Sequence, residues 1–222
     1  MSRPARRGID SAAYDPNCRR CPRLAGYLSE LEAQHPGYWN RPVAPFGVSA
    51  PRLLIVGLAP GRHGANATGR PFTGDFAGLL LYRTLYDLGL ASAPESTSAA
   101  DGLELFACRI TNAVKCVPPQ NKPTTAEVNT CNAYLAAEIQ ALPEKAVILA
   151  LGAIAHRAVL KALGLTGSRF PFAHGAVHAL PAGWLVDSYH CSRYNTQTRR
   201  LTADMFRAAV AEAHRLATVE RR

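Results

Sequence analysis

No stretch of this chain approaches the ~18 consecutive uncharged apolar residues of a membrane-crossing helix, so no transmembrane span is expected. Met1 to Asp10 carries arginines with no apolar run behind it, so no secretory signal is expected either. Internal repeats are missing, and the nearest thing to a linker is Ala91 to Ala100, which reads as a surface loop. Lysine is scarce, at 4 against 21 arginines. At 222 residues, 48% apolar and 18% charged, the chain is too hydrophobic to be disordered. It lacks the period of collagen or a coiled coil, and is long enough for one full core and too short for two generous ones.

What is present is a net charge of +9, carried by arginine, whose planar fork suits phosphate. That charge points to nucleic acid, although coding bias toward Ala and Arg would produce it too. Six cysteines occur without a signal peptide, which favours metal binding or chemistry over disulfides.

Four short apolar runs read as strands: Arg52–Leu58, Phe106–Val114, Ala146–Leu151 and Trp184–Asp187. The first three are nearly continuous, as strands covered on both faces are. Between and after them lie helical patterns. Asp75–Gly89 carries an apolar stripe of Phe76, Leu79, Leu80, Tyr82, Leu85 and Leu88. Thr124–Leu142 opens with a capping box of Thr124 and Glu127; Gly152–Leu163 and Thr202–Ala217 follow. The expectation is one α/β/α domain over residues 14–219 with a four-stranded parallel sheet and a Cys-bearing N-terminal helix packed on it. Residues 1–13 and 220–222 read as flexible basic ends.

In such sheets ligands bind beyond the carboxyl ends of the strands, and two loops there are rich in chemistry. Residues 57–75 contain five glycines and two prolines before a helix. They form either an anion cradle or an ordinary turn, since neither a Gly-Lys-Ser/Thr ending nor a G-x-G-x-x-G order is present. In it, Phe72 is a stacking platform or a plug, and Asp75 a catalytic carboxylate or a helix-start charge. Residues 185–202 place His190 ahead of Ser192, Arg193, Tyr194, Asn195, Thr196 and Arg199-Arg200, donors suited to phosphate. Cys18-x-x-Cys21 with Cys116 and Cys131 makes a possible Cys₄ site. The unequal spacing suits an iron–sulfur cluster better than zinc, while Cys108 reads as an inert buried thiol.

The ordered set Gly57-Leu58-Ala59-Pro60-Gly61, Gly69-Arg70-Pro71-Phe72-Thr73-Gly74-Asp75, Thr111-Asn112-Ala113-Val114-Lys115-Cys116, Pro118 to Pro123 and His190-Cys191-Ser192-Arg193 resembles the iron–sulfur branch, family 5, of the uracil-DNA glycosylases. The Cys18-x-x-Cys21-Pro-Arg-Leu start and the Asn195-Thr196-Gln197-Thr198 run resemble it too. The resemblance implies that Cys18, Cys21, Cys116 and Cys131 ligate a [4Fe–4S] cluster. It implies Asp75 and His190 as catalytic residues, with Gly57, Ala59, Gly61, Phe72, Asn112 and Arg193 around the flipped base. It further implies a monofunctional hydrolase that leaves abasic sites in base excision repair. Its partner would be DNA bearing uracil or another deaminated base such as hypoxanthine, and it would work as a monomer in a bacterial or archaeal cytosol. Two departures stand out. The Gly57–Gly61 stretch has no polar side chain, as in that branch, and Arg199 stands where a glycine is expected. The charge would then sit in Arg70, Arg193, Arg199 and Arg200. The competing readings are a zinc-stabilised nucleic-acid-binding protein without catalysis and an electron-transfer protein, which would leave GRPFTGD and HCSR unexplained.

Overall fold

The computed structural model describes residues 14–218, so the expectation about the two ends falls outside the described residues. The elements run α1 (Pro22–Gln34), β1 (Phe46–Gly47), β2 (Leu53–Gly57), α2 (Ala65–Thr68), α3 (Phe76–Asp87), β3 (Cys108–Asn112) and α4 (Thr125–Gln140). They continue as β4 (Val147–Leu151), α5 (Ala153–Ala162), β5 (Val177–Leu180), β6 (Gly183–Ser188), α6 (Arg193–Gln197) and α7 (Ala203–Thr218).

One sheet orders them β1-β3-β2-β4-β6-β5. Its inner four strands are parallel, as the apolar runs indicate. The expectation of four strands is corrected to six, because an antiparallel strand is added at each edge: β1 against β3 and β5 against β6. Neither announces itself. β1 is two residues long, and β5 alternates exposed and half-buried positions instead of running continuously apolar.

β2 and β4 carry no polar side chain because each face meets its own core, whereas β3 and β6 also bury polar residues such as Thr111, Asn112 and Asp187. Leu53 and Ile55 of β2 join α3 and α7 residues such as Leu81, Leu85, Phe206 and Val210. Leu54 and Val56 point the other way, to Leu135 and Ile139 of α4 and Val159 of α5. A third cluster packs Leu24, Leu28 and Leu31 of α1 against Val114, Val117 and Tyr134, around the cysteines. Helix starts follow their caps. Asp75 accepts from the Gly78 N–H at the head of α3, and the Thr124–Glu127 box closes reciprocally at the head of α4. Arg23 of α1 grips both oxygens of Glu127 at 2.7 Å, fastening the N-terminal helix to α4. The stripe on α3 is shifted from its expected phase: Ala77, Leu81 and Leu85 are buried, and Leu79 faces solvent.

Strand register places the carboxyl ends of the inner strands side by side. Gly57 pairs with Asn112, and Leu151 with Ser188. The chain leaves β2 toward β3 on one side and returns with β4 on the other, so the order switches at β2. The glycine-rich loop begins there.

Candidate functional site

A cavity of about 420 Å³ opens at that switch point. Its walls are mainly apolar, from Leu58, Ala59, Ala65, Ala77, Leu151 and Ile154. Seven of the eight predicted catalytic and substrate-binding residues line it: Ala59, Gly61, Phe72, Asp75, Asn112, His190 and Arg193. The eighth, Gly57, lies directly behind. A Cβ there would stand 2.4 Å from Asn112 Oδ1 and 2.6 Å from the Phe72 ring, so only glycine lets those side chains meet the strand end.

Phe72 is buried and sits at φ 56°, a left-handed conformation costly for a bulky residue. It is held from two sides. The Tyr82 hydroxyl donates to the Pro71 carbonyl at 2.7 Å, and the Phe72 carbonyl presses so closely on α3 that a Cβ at Gly78 would fall 1.8 Å from it. The Phe72 ring faces the His190 ring, with centroids 5.9 Å apart and planes 24° from parallel.

Asn112 is 3% exposed, and its Oδ1 is a buried acceptor with no protein partner. Such an atom costs about 1–3 kcal/mol unless a donor reaches it. Asp75 has two faces: Oδ1 caps α3 at 2.8 Å from the Gly78 nitrogen, while Oδ2 turns toward Gly61 and Gly64. Burial pushes its carboxyl above the ordinary aspartate range, against the lowering effect of the Gly78 and Ala77 N–H groups. Burial lowers His190 to about 4, so near neutral pH its ring is uncharged. Between that value and the ~6.5 of an exposed imidazole, the unfolded chain takes up a proton that the folded chain refuses. Stability therefore falls as pH drops through this window.

The structure corrects the role given to Arg70. Its side chain is buried, donating to Asp101 Oδ1 at 2.6 Å, Ser96 Oγ at 3.0 Å and the Ala99 carbonyl at 2.8 Å, over the Phe46 ring. It is a clamp inside the domain and unavailable to DNA. Arg193, Arg199 and Arg200 are exposed. Arg193 lies over Phe76 at 5.0 Å and Arg200 over Tyr189 at 4.6 Å.

The four predicted ligand cysteines, Cys18, Cys21, Cys116 and Cys131, converge from α1 and its approach, the turn after β3, and α4, around a second small cavity. Cys108 and Cys191 are buried elsewhere in the main core. Burial raises the thiols of Cys21, Cys116 and Cys131, and charge on neighbouring cysteines raises each further. The Lys115 N–H donates to Cys131 Sγ at 3.3 Å. The Lys115 ammonium is buried in an ion pair with Glu138 and donates to the Asn112 carbonyl at 3.1 Å, linking the cysteine cavity to the carboxyl end of β3.

Sequence reasoning missed the far wall. Gly152, Ala153 and Ile154 line the cavity there, while Ser192 and Asn121 line it from two segments the sequence singled out. The first three follow the carboxyl end of β4, where the strand-end rule itself points. Gly152, at φ 97°, carried no chemistry-bearing side chain to draw notice.

The Uracil DNA glycosylase superfamily model matches residues 44–214. Among curated proteins, the chain is 48% identical over 206 residues to the Type-5 uracil-DNA glycosylase of Thermus thermophilus, covering 90% of this chain and 94% of that one. It is 45% identical to the Pyrobaculum aerophilum protein of the same name, over 89% of each chain. With the Mycobacterium leprae Type-5 uracil-DNA glycosylase it shares 46% identity over 91% of this chain and 92% of the relative.

Proposed function

This chain belongs to the uracil DNA glycosylase superfamily and to its type-5 branch, and from that premise we propose that it excises uracil from DNA by hydrolysis of the N-glycosidic bond. The observation that carries the reading is the unpartnered Oδ1 of Asn112 in an apolar cavity behind Phe72. Uracil presents an N3–H donor beside its O4 acceptor, matching the oxygen and amide of one asparagine. Cytosine has an unprotonated N3 and would set lone pair against lone pair. Hypoxanthine offers the same donor–acceptor pair in N1–H and O6, and the cavity has room for a purine, so it is a substrate as well.

The base must leave the duplex, at a cost of a few kcal/mol. Stacking on Phe72 offsets part of that, since base–aromatic stacking is worth ~1–3 kcal/mol. As the bond to the sugar breaks, positive charge grows on the sugar and negative charge on the base. The Asp75 carboxylate supplies the first counter-charge. The neutral His190 ring offers an N–H to the base oxygen that gains charge. Water is the nucleophile and an abasic site the product. Lys115, the lysine closest in sequence to Asn112, is consumed by its ion pair with Glu138, which removes it as a Schiff-base nucleophile.

The cysteine cavity fits a [4Fe–4S] cluster held by Cys18, Cys21, Cys116 and Cys131. Four cysteines crowd one cavity, two of them buried, and burial raises the thiols of Cys21, Cys116 and Cys131, which a cationic group bound among them would offset. Tetrahedral zinc, with Zn–S ~2.3 Å, would draw the sulfurs to ~3.8 Å from one another. Among the described residues the cysteines do not form a set of three within 4.8 Å. The cluster would serve as a structural tie between α1, α4 and the turn after β3.

Two experiments test the reading. Duplexes carrying uracil, hypoxanthine or cytosine at one position should yield abasic sites from the first two alone; cleavage of cytosine, or refusal of uracil, would overturn it. Anaerobically purified protein should absorb broadly near ~400 nm and lose that band on Cys→Ser change at any of the four positions.

A further inference from the structure

Behind the far wall of the base cavity, away from the cysteines, three other ligand-type side chains meet. His156 comes from α5, His178 from the edge strand β5 and Asp187 from β6. His156 Nδ1 lies 2.8 Å from Asp187 Oδ1, and His178 Nε2 lies 3.2 Å from Oδ2. One ligand atom from each residue falls within 4.8 Å of the other two. The Asp187 side chain is fully buried, His156 is 3% exposed, and His178 is 12% exposed.

The protons decide what this trio is. His156 Nε2 stands 2.9 Å from the Phe170 carbonyl, which only accepts, so Nε2 carries the proton. In a neutral ring the Nδ1 lone pair then faces a carboxylate at hydrogen-bond distance inside the core. Two electron-rich atoms cannot remain so without a cation between them. Either a second proton or a metal ion must lie there.

We propose that His156, His178 and Asp187 hold a divalent metal ion, with zinc the best match to two imidazoles and one carboxylate. Metal-bound histidines characteristically donate their other ring N–H to a carbonyl, which the His156–Phe170 contact does. Ligand atoms ~2.0–2.2 Å from tetrahedral zinc stand ~3.3 Å apart; the two histidine–carboxylate separations, 2.8 and 3.2 Å, lie near that, and the third ligand pair falls within 4.8 Å. Phe172 packs edge-on to His156 at 5.5 Å and Phe170 to His178 at 5.8 Å, giving the site the apolar surround that limits solvent. The exposed edge of His178 provides the route in and the position for a water as fourth ligand. Binding would displace a proton from the trio into solvent.

The ion would fasten the β5–β6 edge to α5. Those elements carry the cavity wall at Gly152–Ile154 and the strand that delivers His190, so the metal would set pocket geometry without entering the reaction.

Metal content of the cluster-loaded protein, dialysed without chelator, tests this. Wild type and Cys18→Ser should each retain about one zinc per chain at this site, and His178→Ala should lose it. Adding zinc to metal-depleted wild type should raise Tm, and the rise should be absent in His178→Ala. Asp187→Asn is the stricter variant but leaves a buried histidine unpaired, so the partly exposed His178 is the one to change. The proposal is overturned if wild type holds no zinc and added zinc does not move its Tm; a buried imidazolium on His156 then occupies the trio. It is equally overturned if the zinc survives in His178→Ala and vanishes in Cys18→Ser.

Discussion

The two loops that build the base cavity use the same kinds of residue in opposite ways. In the first, residues 58–75, Phe72, Asp75 and Arg70 are each locked in place, and His63 is exposed. Phe72 is pinned in a strained backbone by Gly78, Asp75 doubles as a helix cap, and Arg70 is spent on Asp101. In the second, residues 189–201, Arg193, Arg199 and Arg200 lie on the surface and Tyr194 is 71% exposed. An arginine that finds a carboxylate inside the domain becomes structure; one that finds only a ring to lie over stays available for phosphate. In the proposed reaction the first loop would hold rigid groups at the reacting bond, and the second would hold the polymer.

Changing Asp75 should separate these roles most sharply. Asp75→Asn keeps a side-chain oxygen for the Gly78 N–H, so the α3 cap and Tm should be nearly unchanged. Removing the charge should lower the single-turnover rate by roughly 10²–10³-fold, the scale of losing one preorganised electrostatic group. A smaller effect should come from the arginines. Arg193→Ala or Arg200→Ala should each weaken DNA binding and flatten the slope of log affinity against log salt by about 1. Arg70→Ala should leave that slope alone and cost about 1–3 kcal/mol of stability, because it strands Asp101 and its hydrogen bonds. A changed salt slope in Arg70→Ala would erase the contrast between the loops. The smallest effect is at Arg199, which sits at φ 56°. Arg199→Gly should relieve about 1 kcal/mol of strain, read as a modest rise in Tm, while losing one phosphate contact.

That last position shows how the sequence can be right about geometry and silent about reason. A glycine is expected at residue 199, and the backbone there is left-handed as a glycine position would be, yet arginine occupies it. β2, β3 and β4 were legible because nearly continuous apolar runs signal burial on both faces, β6 from a shorter run, and α4 because its capping box satisfies two N–H groups reciprocally. The edge strands β1 and β5 were not, since two residues carry no period and a half-exposed edge carries only a faint one. Arg70 was misread because its partner Asp101 lies 31 residues away across a loop that reads as plain surface. His156 and Asp187 are likewise 31 residues apart, on different elements with no motif between them. Seven of the eight pocket positions named from motif order do line the cavity, whereas the Gly152–Ile154 wall has no polar side chain to betray it.

In the proposed reaction Asp75, charged and enclosed, drives bond cleavage while His190 takes part as a neutral ring. The single-turnover pH profile of wild type beside Asp75→Asn tests it most directly. Because burial raises Asp75, activity should fall on the acid side with a midpoint above the ordinary aspartate value. Because burial lowers His190 to about 4, no inflection should appear near the ~6.5 of a free imidazole. In Asp75→Asn the rate should be low and that acid limb gone. Wild-type turnover in Asp75→Asn with the acid limb intact would rule out a catalytic role for the Asp75 carboxylate.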